Sequence, residues 1–487
     1  MISIQARQHD NFSVEFKVGY NCKEHGDRDK FSVNSWIFVP NSLDINPENY
    51  GKKQFYRDIK SNVRLITPVY PLRDMAQYTS LPLTSLRKAI ENVVSDPSKY
   101  SLNAYEYHLK MFAAIFKSAL RDYVTTLASA PSLENVEYLV DDYVESIKKV
   151  LSKFRSLHQI IDVPTTSSHI RNCFSMSDEF MNHIVVLRTT RIVKALDASE
   201  CPQRLSQIRQ KFIGLILEVR EYMTEMGYEK LTGAPEHDRQ LLFHHGMLKK
   251  YVESELYIRL DKKKDGVAVE QLYYSIAAGV AMIFATGVAW QTQVRYGNIT
   301  WPLFVVLVVS YMLKDRIKDL LRYYFAHKLG NKYFDKKATV AIGEKKIGVI
   351  KEGFDFISKA KTPEVVMNMR EKASFVEDES HIFEEKILLY RKHVEISDSA
   401  LAKVDVYPMK GINEIIRLHL DRFTHKMDDP ELPIDTFDAE GNLATSSIQK
   451  IYYVNIVFQL QHDGFAEYHH FRITMTRNGI QEVIKIS

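Results

Sequence analysis

The sequence predicts an α+β multidomain membrane protein. The expected order is an N-terminal β-rich region, a helical bundle, a two-helix transmembrane hairpin and a C-terminal, mainly antiparallel β domain. Three observations predict it. Two apolar runs, Leu272–Trp290 and Ile299–Leu313, contain no Asp, Glu, Lys, Arg or His and flank the polar stretch Gln291–Asn298. Apolar residues recur at three- and four-residue steps between residues 101 and 260. On either side of these regions the apolar residues alternate, as they do in strands with one buried face. The expected domains are residues 1–100 (β-rich region), 101–264 (cytoplasmic helical bundle), 268–330 (hairpin with a juxtamembrane basic helix) and 338–487 (cytoplasmic β domain).

In residues 1–100, Phe12, Val14, Phe16 and Val18 alternate with Ser13, Glu15 and Lys17. A turn at His25-Gly26-Asp27 leads to a second apolar run, Ser35–Val39, which stops at Pro40. The remainder, to about Tyr100, shows no clear period.

About five amphipathic helices are expected next. Tyr105, His108, Phe112, Ile115, Ala119 and Tyr123 mark one, and Val136, Leu139, Tyr143, Ile147, Val150 and Phe154 another. Phe180, Ile184, Leu187 and Val193 mark a third, opened by Ser175 with Asp178 three residues on. Leu205, Ile208, Phe212, Leu215, Val219 and Tyr222 form a fourth, stopped by Gly227. Residues 238–260 form the fifth, and the loop Val163–Ser168 divides the set.

A helix needs about 20 mostly apolar residues to cross a bilayer. The first run is nearly that long, and the second is shorter. Lys249, Lys250, Arg259, Lys262, Lys263 and Lys264 precede the pair, and Lys314, Arg316, Lys318, Arg322 and Lys328 follow it. The connection carries only Arg295. Cytoplasmic flanks are rich in Lys and Arg, so both long parts are expected inside, with the connection on the far side. Trp290 and Trp301 then mark the outer interface, and Tyr273, Tyr274 and Tyr311 the inner one. The rival reading is a helical hairpin buried in a large soluble core. Ala277, Ala281, Ala285 and Ala289 form a small-residue stripe. It packs either on the same hairpin or on a second protomer. Lys314–Lys328 is expected to continue as an amphipathic helix.

In the C-terminal region Ile416, Leu418 and Leu420 alternate with Arg417, His419 and Asp421. Phe471, Ile473 and Met475 alternate with Arg472, Thr474 and Thr476. Ile451–Leu460 suits a central strand, Arg477-Asn478-Gly479 a tight turn into Val483–Ile486, and Thr362-Pro363 the start of a short helix.

Composition excludes little. The 65 Lys and Arg nearly balance 61 Asp and Glu, so charge indicates no nucleic acid. Cys22, Cys173 and Cys201 lie too far apart for a disulfide framework or a zinc ribbon, and read as reduced thiols of a cytosol-facing protein. The start MISIQARQHDNF lacks an apolar core, so no secretory signal is expected.

No phosphate-binding glycine loop, dinucleotide fingerprint, HExxH or GxSxG is present. His237, Asp238, His244 and His245 are a metal-like cluster, with His237 and His244 seven apart on one helix face. Asp438, Glu440, Gly441 and Asn442 resemble part of a calcium loop, but Ser447 stands where the bidentate Glu belongs, and a glycine turn explains them. His469 and His470, adjacent on a strand, face opposite sides. Arg417, His419, Asp421 and His425 could share a strand face and serve acid–base chemistry, or be a solvated surface. No catalytic, cofactor-binding or metal residue is assigned, and no cofactor is expected.

The expected function is a non-enzymatic, membrane-tethered cytoplasmic sensor, scaffold or assembly subunit. The alternatives are an oligomerising membrane effector that perturbs the bilayer, and an anchored enzyme with an unrecognised site in the β domain. The expected partners are the lipid bilayer and a cytoplasmic protein, with a homo-oligomer left open. The expected location is a bacterial inner membrane with both termini cytoplasmic.

Overall fold

A computed structural model of the chain describes residues 2–22, 28–128, 133–164, 166–197, 206–228, 233–297, 301–330, 334–342, 345–371, 385–402, 406–437 and 443–487. The turn read at His25-Gly26-Asp27 lies outside them, as do Cys201 and Asp438–Asn442. The chain is mixed α+β and divides into two units. One comprises residues 1–63, 259–404 and 411–487, the other residues 64–258 and 405–410.

The first unit is built on strands β1 (Ile2–Gln8), β2 (Ser13–Asn21), β3 (Asp29–Pro40), β4 (Ile59–Leu65), β5 (Arg259–Lys264), β6 (Lys336–Ile342) and β7 (Lys345–Ile357). The others are β8 (Glu385–Ile396), β9 (Gly411–His419), β10 (Glu431–Phe437), β11 (Leu443–Gln449), β12 (Tyr452–His462), β13 (Phe465–Thr476) and β14 (Gly479–Lys485). Eight of them form one sheet in the order β14-β13-β12-β3-β8-β7-β6-β5. A second sheet runs β1-β2-β9-β4, and β10 and β11 pair by themselves.

This pairing corrects the division into separate N-terminal and C-terminal β regions. β3 lies between β8 and β12, antiparallel to both, and β2 pairs with β9. The N-terminal strands β2 and β3 therefore lie inside their sheets, each beside a strand from the far end of the chain. Local periodicity shows that a strand has a buried face, but not which strand lies beside it.

The second half of β3, Ser35–Val39, is buried on both faces, which explains the unbroken apolar run Trp36–Val39. Trp36 and Phe38 pack with Ile387, Val457 and Val366, the last from the helix Glu364–Glu371. On the other face the two sheets meet. Phe16 of β2 lies 4.9 Å from Phe458 and 5.9 Å from Phe471, and Tyr20 lies 5.5 Å from Phe31. The Arg477–Asn478 connection is a two-residue hairpin turn, with Thr476 paired to Gly479.

The longer helices of the second unit, among the described residues, are α1 (Leu81–Ser95), α2 (Lys99–Ala128), α3 (Leu133–Ser156), α4 (Ser168–Asp197), α5 (Ser206–Glu225) and α6 (Pro235–Glu253). Phe154 stacks between Phe112 and Phe174, at 5.5 and 4.5 Å, and joins α2, α3 and α4. α4 begins at Ser168, so Ser175 is not its cap. The Ser-x-x-Asp signature falls inside the helix, where Asp178 is buried and accepts hydrogen bonds from Tyr222 and Tyr228 at 3.1 and 3.0 Å. Gly227, at φ +72°, closes α5. The Tyr228 amide donates to Met223 O and the Gly227 amide to Thr224 O, the paired bonds of a left-handed helix stop.

The central position of β3 gives an expected outcome for a fragment. Residues 338–487 expressed alone should be insoluble or unfolded, and should become soluble and β-rich when residues 1–65 are co-expressed. Phe38→Ala in the full chain should lower stability by about 3–5 kcal/mol, read from thermal unfolding. A soluble, cooperatively folding 338–487 fragment would contradict the shared sheet.

Candidate functional site

Helices α7 (Val267–Tyr296) and α8 (Trp301–Gly330) stand between β5 and β6 in sequence. These two strands pair antiparallel at the edge of the large sheet, Lys264 opposite Lys336 and Arg259 opposite Ala341. The helices thus take the place of the turn of a β-hairpin. Gly266, at φ +72°, makes the left-handed step from strand to helix. The sheet edge at their root is basic: Lys262, Lys263 and Lys264 are exposed on β5, with Lys336 and Lys337 half-buried opposite them on β6.

α7 continues through Tyr296, so most of the stretch read as a connecting loop, Gln291–Asn298, is helix. Among the described residues one helix, Val267–Arg295, is long and apolar enough to cross a membrane. α8 does not qualify. Its apolar part ends at Leu313, where Lys314, Asp315 and Arg316 begin. At 1.5 Å per residue, Trp301–Leu313 covers roughly 20 Å of a hydrocarbon layer about 30 Å thick. A pair of membrane-spanning helices is therefore not established, although the helical hairpin is.

The helices are in contact along their length. Tyr273 lies 5.0 Å from Phe325, Arg322 sits over the Tyr274 ring at 5.5 Å, and the Ser310 hydroxyl donates to Ala285 O at 3.4 Å. This alignment moves one interface residue. Tyr273 and Tyr274 lie at the root, and Trp290 and Trp301 near the tip, but Tyr311 follows the residue that touches Ala285. It is level with the middle of the apolar run of α7 rather than with its inner end.

The alanine stripe faces α8 of the same chain. Ala277 and Ala281 are fully buried, and Ala285 and Ala289 half-buried. The outer surface is the reverse. Ile283 and Trp290 are 73% and 74% exposed, and Val280, Phe304, Val308 and Met312 are exposed too. Two helices that pack on each other and turn apolar side chains outward need a further apolar environment.

Beneath the hairpin, the sandwich holds a buried ionic group. Lys392 of β8 stands opposite Glu352 of β7, 3.3 Å away, and also donates to Glu414 of β9 in the other sheet. The Tyr20 hydroxyl donates to Glu414 at 3.1 Å, and Ser61 donates to its other oxygen. Burial would lower the Lys392 ammonium, but Glu414 and Glu352 outweigh it and hold it above its ordinary value. Burial would raise Glu352, but Lys392 and Lys262 hold it low. Sequence reasoning missed this group. Its signal was a single charge inside each buried row: Ile412-Glu414-Ile416, Tyr390-Lys392-Val394 and Ile350-Glu352-Phe354.

The clusters read from sequence disperse. His244 pairs with Glu179 at 2.9 Å, His245 stacks on His183 at 3.6 Å, and His237 lies 3.7 Å from Asp238. Burial, then His245, lowers the His183 ring to about 4. Arg417 binds Glu15 at 2.8 Å and His419 meets Ser13 at 3.0 Å, whereas Asp421 and His425 pair on a short helix beyond the strand. They do not share one strand face, because β9 ends at His419. His470 is buried against Asn455 at 3.0 Å, and His469 lies 3.8 Å from Glu467. Comparison of the chain with protein-family models, curated proteins and solved structures gives no match.

Two outcomes follow from this geometry. Ala281→Leu should overpack the seam with α8, costing about 1–3 kcal/mol and lowering the melting temperature without changing the particle size in detergent. A changed size at unchanged stability would place the stripe between protomers. Lys392→Met leaves Glu352 and Glu414 buried without their cation and should cost about 3–5 kcal/mol at neutral pH. The depressed Glu352 contributes stability that is present above its unfolded pKa and lost as pH falls through its folded value. Lys392, held high, contributes stability that is present below its unfolded pKa and lost as pH rises through its folded value. The penalty of Lys392→Met should therefore shrink on acidification, as Glu352 protonates. A penalty independent of pH would contradict the network.

Proposed function

We propose that the chain is a membrane-tethered sensor, scaffold or assembly subunit, with the α7–α8 hairpin as its anchor and the residues on either side of the hairpin in the cytoplasm. The observation that carries this reading is the apolar outer surface of a hairpin rooted in a basic sheet edge. Apolar side chains gain about 25 cal/mol for each Å² withdrawn from water, and lipid supplies that environment on every side. Lys and Arg beside an anionic leaflet add about 1 kcal/mol each.

In this reading α7 carries the span. The shorter apolar part of α8 leaves Lys314 and Arg316 to reach the near interface along their own stems. Asp315 is paired with Lys318 at 3.0 Å, which reduces its cost there. That mixed-charge strip also favours a second reading, an oligomerising effector. Lys314, Asp315, Arg316, Lys318 and Asp319 run beside the apolar inner half of α7, and a second hairpin laid against them would cover the charges. The described residues add a groove of about 780 Å³ in the helical unit, where Met223, Leu241 and Leu242 meet Arg191, Lys194 and Arg220. Its size is ordinary for a small-ligand site, which suits a sensor.

Excision tests the anchor. Lys264 and Lys336 are already paired neighbours. Replacing residues 267–333 by a short Gly-containing turn should therefore leave a folded protein, recovered without detergent and no longer sedimenting with membranes. A shortened protein that still sediments with membranes would contradict the anchor. In intact cells a Cys at Arg295 should react with an impermeant thiol reagent and one at Lys263 should not. Labelling at Lys263 would reverse the proposed orientation.

A further inference from the structure

We propose that Glu106, His169 and Cys173 form a site for a divalent transition-metal ion of zinc type in the helical unit. His169 and Cys173 are four residues apart on α4 and so share a face, which Glu106 meets from α2. The three ligand atoms lie within 4.8 Å of one another. His169 Nε2 is 2.8 Å from Glu106 Oε1 and 3.7 Å from Cys173 Sγ. Zinc bonds of about 2.0–2.3 Å in tetrahedral array put ligand atoms roughly 3–4 Å apart, so small side-chain shifts would complete the site.

The orientation of the imidazole separates this site from a nucleophile triad. In a triad one ring nitrogen faces the thiol and the other the carboxylate. Here a single nitrogen, Nε2, faces both. One nitrogen cannot relay a proton between the two groups, but it can stand beside both as ligands of a shared ion.

Charge balance agrees. Glu106, a Cys173 thiolate and a neutral His169 match a divalent ion and leave the site neutral. In binding, the S–H bond breaks, the sulfur–metal bond forms and the proton passes to buffer, with no change of oxidation state. The surroundings fit as well. Lys110 holds Glu106 Oε2 at 3.4 Å, leaving Oε1 toward the site, and its own charge is met by Glu255 at 3.0 Å. The Tyr251 hydroxyl is buried beside Cys173 without a well-formed hydrogen bond, and it or a water can take the fourth position. The His169 side chain is 61% exposed and opens a path for entry. The mixed thiolate, imidazole and carboxylate set disfavours magnesium and calcium, which prefer oxygen alone.

The test uses the full chain in detergent, stripped with a chelator and titrated with Co²⁺ and then Zn²⁺. The expected result is one equivalent of Co²⁺ bound with release of a proton and a near-ultraviolet thiolate-to-metal band, which Zn²⁺ then displaces without further proton release. Cys173→Ser should lose the band, and His169→Gln should weaken Zn²⁺ binding more than tenfold, the least that losing even an outer partner tends to cost. His169 is largely exposed, so that variant tests the site without unfolding it, and circular dichroism checks both. His245→Ala, in the neighbouring histidine pair, should bind as wild type does. Absence of binding, cobalt bound without a thiolate band, or Zn²⁺ affinity unchanged in both variants would overturn the proposal.

Discussion

The pairing of Arg259–Lys264 with Lys336–Ala341 holds the two ends of an apolar helical hairpin side by side. It acts through backbone hydrogen bonds and is indifferent to the side chains on the helices. The ladder fixes where the hairpin leaves the sheet, and it gathers the lysines of β5 and β6 at that point. A hairpin attached through a flexible linker would have neither property. The hairpin's root depends in turn on β3, which pairs with β8 on one side and β12 on the other and so lies inside the sheet that β5 and β6 extend.

The second constraint lies between the sheets. Lys392, Glu352 and Glu414 come from three strands and two sheets, yet they meet within one buried group. Such groups often contribute little net stability over a well-packed apolar core, because desolvation opposes their attraction. Their effect is greater when they are incomplete, since a sheet that slides leaves a charge unmatched in a dry interior. The group thus penalises a misplaced sheet more than it rewards the correct one.

Much of this was legible locally. The apolar runs, the helical periods from Tyr105 to Tyr222, the stop at Gly227 and the short helix after Pro363 all rest on interactions within a few residues, and those are written in sequence order. Partners distant in the chain were not legible. Nothing near Ser35–Val39 indicates that Leu388 and Ile456 flank Ile37. The depth of Tyr311 depended on how α7 and α8 align, which the apolar runs alone do not specify. Glu106, His169 and Cys173 carry no shared motif, because two of them lie more than sixty residues beyond the first. The charges at Glu352, Lys392 and Glu414 stand out within their apolar rows, but nothing local to any of them identifies its partners.

The central claim is that lipid covers the outer surface of the hairpin, and the tryptophans can report it directly. Trp36 is buried in the sheet core, whereas Trp290 and Trp301 are exposed near the tip. With Trp36→Phe as background, fluorescence should be quenched by brominated lipids in reconstituted vesicles, most strongly by bromines near the headgroup end of the chains, where Trp residues settle. Folded protein associated with vesicles whose Trp290 and Trp301 are quenched by an aqueous agent but by no brominated lipid would contradict the account.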